Sequence, residues 1–247
     1  MSLLEVCVDD LAGLDAAVQG GADRIELCSA LELGGLTPSE GLMAEACQRA
    51  LPVIALIRPR AGDFVYSESE ERAMRYDIEC AAELGIAGVA IGALTREAVL
   101  DRAVLERLIE RAVGLQLTLH RAFDLVRDPS AALEEAISLG FDRVLTSGGA
   151  VQAPAGSARL ASLVRLSRGR IRILAGSGIT SANVETLLDA TGVHEVHASC
   201  RAPGPETAPE LVAFGFSAAA RRATSTAAVR ELKARLSAHG ARSLSKT

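Results

Sequence analysis

Lysine is almost missing from the chain, with Lys233 and Lys246 the only two. A mechanism that needs a buried lysine amine for a Schiff base therefore has hardly a residue to use. Tryptophan is absent and aromatic residues make up only 3%, which removes the platforms on which bases are stacked. No cationic excess exists either: Lys+Arg 26 against Asp+Glu 31 gives a formal charge of -5. Binding driven by counterion release is disfavoured, so neither a nucleic acid nor a membrane surface is expected as a partner. No apolar run approaches the roughly 18 residues that span a bilayer. The first ten residues hold three acids and no basic flank, unlike a signal peptide. The five cysteines, Cys7, Cys28, Cys47, Cys80 and Cys200, are odd in number and contain no CxxC pair. Reduced thiols in a soluble cytoplasmic protein are the expectation.

What is present points to a compact α/β protein. The 247 residues are 49% hydrophobic and 23% charged, enough to bury roughly 70% of the unfolded surface. Short apolar runs occur at Leu3–Val8, Arg24–Cys28, Pro52–Arg58, Gly88–Gly92, Gln116–Arg121, Arg143–Ser147, Arg172–Gly176 and Glu195–Ser199. Helical patterns such as Ser67–Leu84, Asp101–Val113 and Pro129–Leu139 lie between them, the alternation of a parallel sheet. Asp128 before Pro129 has the form of an N-cap and first helical residue. A glycine, two residues and a strand recur at Gly21, Gly85, Gly140 and Gly192, each placed where a helix ends in the left-handed conformation. Four such copies before alternate strands give eight βα units, the size of a (β/α)8 TIM barrel. A doubly wound open sheet is the rival, but no GxGxxG follows the first strand. The expected organisation is a single domain over 1–247 with its core in about 1–200. An irregular Pro/Gly/Ala/Ser-rich connection then covers 201–226, a closing helix 227–239 and a frayed tail 240–247.

In a barrel, alternate strand residues point into the lumen, so mid-strand charges are expected to point inward and those near the carboxyl ends to form the site. Glu5 and Cys7 share this parity, as do Arg24, Glu26 and Cys28. Glu5, Glu26, His120, Asp124 and His197 are the candidate acid, base or orienting groups. The bland reading of the glutamates is an internal salt-bridge layer with Arg24 or Arg58, and of the histidines a satisfied core position. Arg24, Arg58 and Arg60 are candidate anion-binding groups, the last two on a turn held by Pro59. Ser147 and the glycines Gly176 and Gly178, which leave the sixth and seventh strands, could present N–H groups to an anion or merely form turns. Cys7 and Cys28 would stand about 5 Å apart on neighbouring strands if in register, able to hold Cu(I) as thiolates or to serve as small buried hydrophobes.

Several blocks together resemble the CutC family of copper homeostasis proteins: Glu5-Val6-Cys7-Val8-Asp9, Gly20-Gly21-Ala22-Asp23-Arg24-Ile25-Glu26-Leu27-Cys28, Gly34-Gly35-Leu36-Thr37-Pro38-Ser39, Ile57-Arg58-Pro59-Arg60, His120-Arg121-Ala122-Phe123-Asp124 and Leu145-Thr146-Ser147-Gly148. The resemblance runs in order over about the first 200 residues. Leu119 and Ser177 stand where the family pattern has Phe and Gly. It implies a cytoplasmic TIM barrel that forms a dimer or tetramer and binds copper, Cu(I), through the residues matching Cys7 and Cys28. The competing reading is an enzyme that acts by acid/base chemistry on a small anionic metabolite, phosphorylated or not, at the mouth of the barrel. A barrel serving only as an interaction scaffold is the third.

Overall fold

The computed structural model describes residues 2–244. Eight parallel strands close into a barrel in chain order: β1 (Leu3–Val8), β2 (Arg24–Leu27), β3 (Val53–Leu56), β4 (Gly88–Ile91), β5 (Gln116–Leu119), β6 (Arg143–Thr146), β7 (Arg172–Gly176) and β8 (Glu195–Ala198), with β1 paired to both β2 and β8. The (β/α)8 barrel expected from the alternation of runs is the fold observed. One side-chain parity faces outward, where Val6, Val8, Ile25, Leu27, Val89, Val144 and Val196 are fully buried against the helices. This apolar layer carries most of the hydrophobic stabilisation. The other parity fills the lumen.

Seven helices follow the first seven strands in turn: α1 (Leu11–Gly20), α2 (Glu40–Ala46), α3 (Glu68–Glu83), α4 (Arg102–Ile109), α5 (Pro129–Ser138), α6 (Ser157–Ser167) and α7 (Val184–Thr191). Their starts are encoded locally. Ser67 and Glu70 form a reciprocal capping box on α3, and the Asp128 carboxylate accepts from Ser130 and Ala131 N–H ahead of Pro129 on α5, each cap worth about 1 kcal/mol. The recurring glycines Gly21, Gly85, Gly140 and Gly192 all have positive φ, from 70 to 89°, as the sequence spacing predicts.

The carboxyl-terminal stretch is more ordered than its composition suggests. The expected irregular connection contains an antiparallel pair, β9 (Arg201–Pro203) with β10 (Arg222–Thr224), and a short helix α8 (Pro209–Ala213) between them. The closing helix α9 (Thr226–Leu244) starts a residue earlier and runs five residues beyond 239, so the expected frayed tail is helical as far as it is described; residues 245–247 lie outside the described residues. Val229, Leu232 and Leu236 bury one face of the helix, and in the extension Arg242 donates to Glu185 at 2.8 Å. Val229 packs over Gly20, where a Cβ would come within 2.4 Å of it. Lys233 meanwhile binds Asp23, which also accepts the Leu4 N–H at 2.7 Å. No helix of the described residues is long and apolar enough to cross a membrane.

Candidate functional site at the carboxyl end of the barrel

The lumen charges form a continuous network across β1, β2 and β8. Register sets Glu5 opposite Arg24 on one side and His197 on the other. The Arg24 guanidinium donates to Glu5 and, at 2.6 Å, to Glu195. Glu195 also faces Arg143 at 3.6 Å, whose other nitrogens donate to Thr118 and Gln116. Glu5, Arg24, Arg143 and Glu195 are all buried, and mutual pairing is what lets charges persist there. Burial alone would push the Glu5 carboxyl upward, but the His197 hydrogen bond and the Arg24 charge bring it down to about 2. The sequence reading missed Arg143 and Glu195, although both share the inward parity that singled out Glu5.

Above this floor the network reaches the mouth. His197 Nδ1 lies 2.8 Å from Glu5 Oε1, and its Nε2 lies 3.8 Å from Glu26 Oε2. Burial favours the neutral ring, yet Cys7, Glu26 and Glu5 around it raise His197 well above its ordinary 6.5. Burial is likewise the main cause that pushes Glu26 up to about 7, with the His197 charge opposing it. Ligand-type atoms of Cys7, Glu26 and His197 all lie within 4.8 Å of one another, and all three residues are buried.

The expected Cys7–Cys28 pair is not in register. Cys7 stands opposite Glu26, and Cys28 lies beyond the end of β2, its N–H and thiol both directed to the Val8 carbonyl. Its side chain packs with Ile54, Leu56 and Ala90, and burial, followed by the nearby Glu26, drives its thiol upward. The register follows from Glu5 pairing with Arg24, an offset that the matching Glu-x-Cys endings do not reveal. Cys7 thus meets an imidazole and a carboxylate, whereas the Cys28 thiol is turned to a backbone carbonyl.

The mouth opens into a cavity of about 380 Å³ whose wall includes Glu26, Arg58, His120, Arg121, Asp124 and His197. A larger crevice of about 590 Å³ lies at the opposite end, beside Leu3, Arg172 and Glu195, away from this histidine and cysteine cluster. His120 follows β5 and caps a 3₁₀ turn (Arg121–Leu125) by accepting the Ala122 N–H at its Nδ1. Burial, reinforced by the Arg58 charge, lowers it to about 3, so the ring is neutral. Gly92 makes space for that ring, since a Cβ there would come within 2.5 Å of it. Arg58 donates to the carbonyls of Leu33, Gly35 and Gly62, tying two loops together beneath the Phe64 ring.

The remaining candidates fall outside the reactive cluster. Arg24 is committed to two carboxylates on the floor, and Arg60 braces its own loop through Glu70, Asp63 and the Val65 carbonyl without lining the mouth cavity. Asp124 lines the mouth, but its carboxylate accepts from Thr146, Ser147, Gly149 and Arg121, which makes it the anchor of the loop after β6. Ser147 belongs to the same anchor. Gly176 stands opposite His197 in register and lets Leu145 approach, while Gly178, at φ 70°, lines an adjoining crevice that shares Ser177 and His197 with the mouth and also contains Arg201 and Arg222.

A closed βα barrel with a cysteine–histidine–carboxylate cluster at its carboxyl-end mouth is the class of protein these features define. Residues 2–202 match the CutC family model, a span that ends within β9. The chain belongs to the CutC family. It is 53% identical over 239 residues to a family protein CutC of Rhizobium meliloti (strain 1021), covering 97% of this chain and 98% of that one. With a Caulobacter vibrioides relative (strain NA1000 / CB15N) the identity is 53% over 231 residues, covering 93% and 94%. A Streptococcus agalactiae crystal structure, named as a copper homeostasis protein CutC, superposes with a TM-score of 0.78 at 34% identity and covers 81% of this chain and 99% of that chain. The family name thus carries copper homeostasis.

Proposed function

We propose that the protein takes up copper as cargo, in the cytoplasm, at Cys7, His197 and Glu26 rather than between two cysteines. One observation carries the reading: three potential ligand atoms converge within 4.8 Å while Glu5 holds the far nitrogen of His197. A carboxylate on one imidazole nitrogen orients the other towards a metal. Cys7 supplies the soft donor that favours Cu(I), His197 Nε2 the borderline one, and Glu26 a harder oxygen. Arg24 keeps Glu5 ionised for this task. Because His197 and Glu26 are both raised, uptake releases protons and weakens as the pH falls. The dimer or tetramer that the family resemblance implies belongs to the same reading.

The test is an anaerobic Cu(I) competition titration against a strong chelator, on the wild type, Cys7→Ser, Cys28→Ser and Glu5→Gln. Tight binding abolished by Cys7→Ser, retained by Cys28→Ser and weakened roughly 10–100-fold by Glu5→Gln is expected. Weak binding indifferent to Cys7→Ser overturns the reading, and equal loss in both cysteine variants restores the two-cysteine site.

A further inference from the structure

The geometry points to a second binding function in the same mouth: a site for a small carboxylate with an apolar body, whose oxygens accept hydrogen bonds from His120 Nε2–H and Arg58 Nε–H. Both atoms are buried without a hydrogen-bond partner, on residues only 4% and 7% exposed, and both residues line the mouth cavity. A buried donor left unpaired is costly, so two of them on residues that line one cavity single it out as a place where an acceptor would be stabilised. The tautomer follows from geometry: Nδ1 accepts the Ala122 N–H at 3.2 Å, so the neutral ring carries its proton on Nε2. Phe64 touches both groups, its ring 5.0 Å from the imidazole and 5.1 Å from the guanidinium. The two donors are thereby held on one packed surface rather than on mobile arms.

The rest of the wall decides the class of ligand. Leu31, Leu33, Leu56, Leu125 and Leu145 give the cavity apolar sides, unsuited to a bare inorganic ion and suited to a carbon body. Two acids share the space, but Asp124 is saturated by backbone and hydroxyl donors and paired with Arg121, and Glu26 faces His197. Arg58 spends its terminal nitrogens on three loop carbonyls and forms no ion pair with a carboxylate among the described residues. The cavity volume of about 380 Å³ lies at the small end of the metabolite-pocket range.

Titration of chelator-treated protein with acetate, butanoate, benzoate and inorganic phosphate, followed by the long-range ¹H–¹⁵N spectrum of the histidine side chains, tests the site. The expected result is a His120 ring protonated at Nε2 whose Nε2–H signal moves saturably with butanoate and benzoate. Two further buried methylenes should make butanoate about tenfold tighter than acetate. His120→Phe should abolish this binding, and Arg58→Lys should weaken it while the loop carbonyls keep a donor. No saturable movement of His120 in the wild-type protein at tens of millimolar, a ring protonated at Nδ1 instead, or phosphate binding more tightly than benzoate overturns the proposal. The wild-type measurement decides even where the His120→Phe protein fails to fold. Because metal is absent throughout and the readout is the His120 ring, failure here leaves the copper titration untouched, and the two sites stand or fall separately.

Discussion

Replacing Arg24 by methionine tests the idea that the lumen network, rather than apolar packing, holds β1, β2 and β8 in their relation at the mouth. Arg24→Met keeps much of the volume but leaves Glu5 with His197 as its remaining partner, while Glu195 retains Arg143 and Arg172 at 3.6 and 3.4 Å. The Glu5 carboxyl lies at about 2 against an ordinary 4.5, which corresponds to about 3 kcal/mol in favour of the folded, ionised form. Removing one partner of a buried pair costs about 3–5 kcal/mol. The lower end applies here because His197 stays, so the melting temperature at pH 8 should fall by about 6–12 °C. The pH dependence supplies the sharper criterion. In the wild type the depressed carboxyl contributes stability throughout the range above 4.5, losing it only as the pH falls through about 2. In the variant, burial is opposed by His197 alone, the carboxyl rises, and the penalty is confined to pH values at which Glu5 is forced to ionise. The deficit should therefore be largest at pH 8 and shrink towards pH 4.5. Urea unfolding at pH 8, 6.5 and 5 measures it. A deficit below about 1 kcal/mol, or one independent of pH, refutes the network as the organising element.

Two further outcomes follow from the same geometry. Gly92→Ala places a Cβ within 2.5 Å of His120 and should cost about 1–3 kcal/mol by overpacking; in Gly92→Ala/His120→Ala most of that cost should vanish, and strict additivity in urea unfolding would show that the ring is not what the glycine accommodates. Glu26, raised to about 7, and His197, raised above 6.5, both bind protons more tightly in the folded chain. The contribution of these two groups to the metal-free protein is thus full below pH 4.5 and is lost as the pH rises through about 7 and above, with Glu26 worth roughly 3 kcal/mol; Glu26→Gln should flatten the melting-temperature profile between pH 5 and 9, and an unchanged slope would place the titration elsewhere.

The barrel was legible because its signals are local and repeated: runs of the right length, helix starts such as Ser67 and Asp128, and glycines at helix ends that all adopt positive φ. Inward parity was equally readable, since Glu5, Arg24, Glu26 and His197 meet one another across the lumen and His120 lines its mouth. What parity cannot supply is the offset between strands. That offset sets Cys7 against Glu26 instead of Cys28, and it depends on pairings distant in sequence. The fate of each guanidinium was hidden for the same reason. Arg58 and Arg60 sit two residues apart, yet one ties loops under the mouth and the other braces a surface turn. Apolar composition also concealed the β9–β10 pair, three residues in each strand and joined by a long excursion.

The partner that orients His197 is 192 positions away from it, and this separation has a bearing on assembly. Glu5 and Arg24, only 19 residues apart, can meet while the chain is still largely open. His197 and Glu195 arrive on the final strand, so sealing the cylinder and completing the cysteine–histidine–carboxylate cluster are one event. Contacts so remote in sequence form late and slowly. Seven strands without β8 would carry most of the apolar shell but only the Glu5–Arg24 part of the ionic floor, and would lack His197. Under the proposed copper reading, the cargo site is complete only when β8 has joined the barrel, and a truncation before β8 removes both His197 and Glu195.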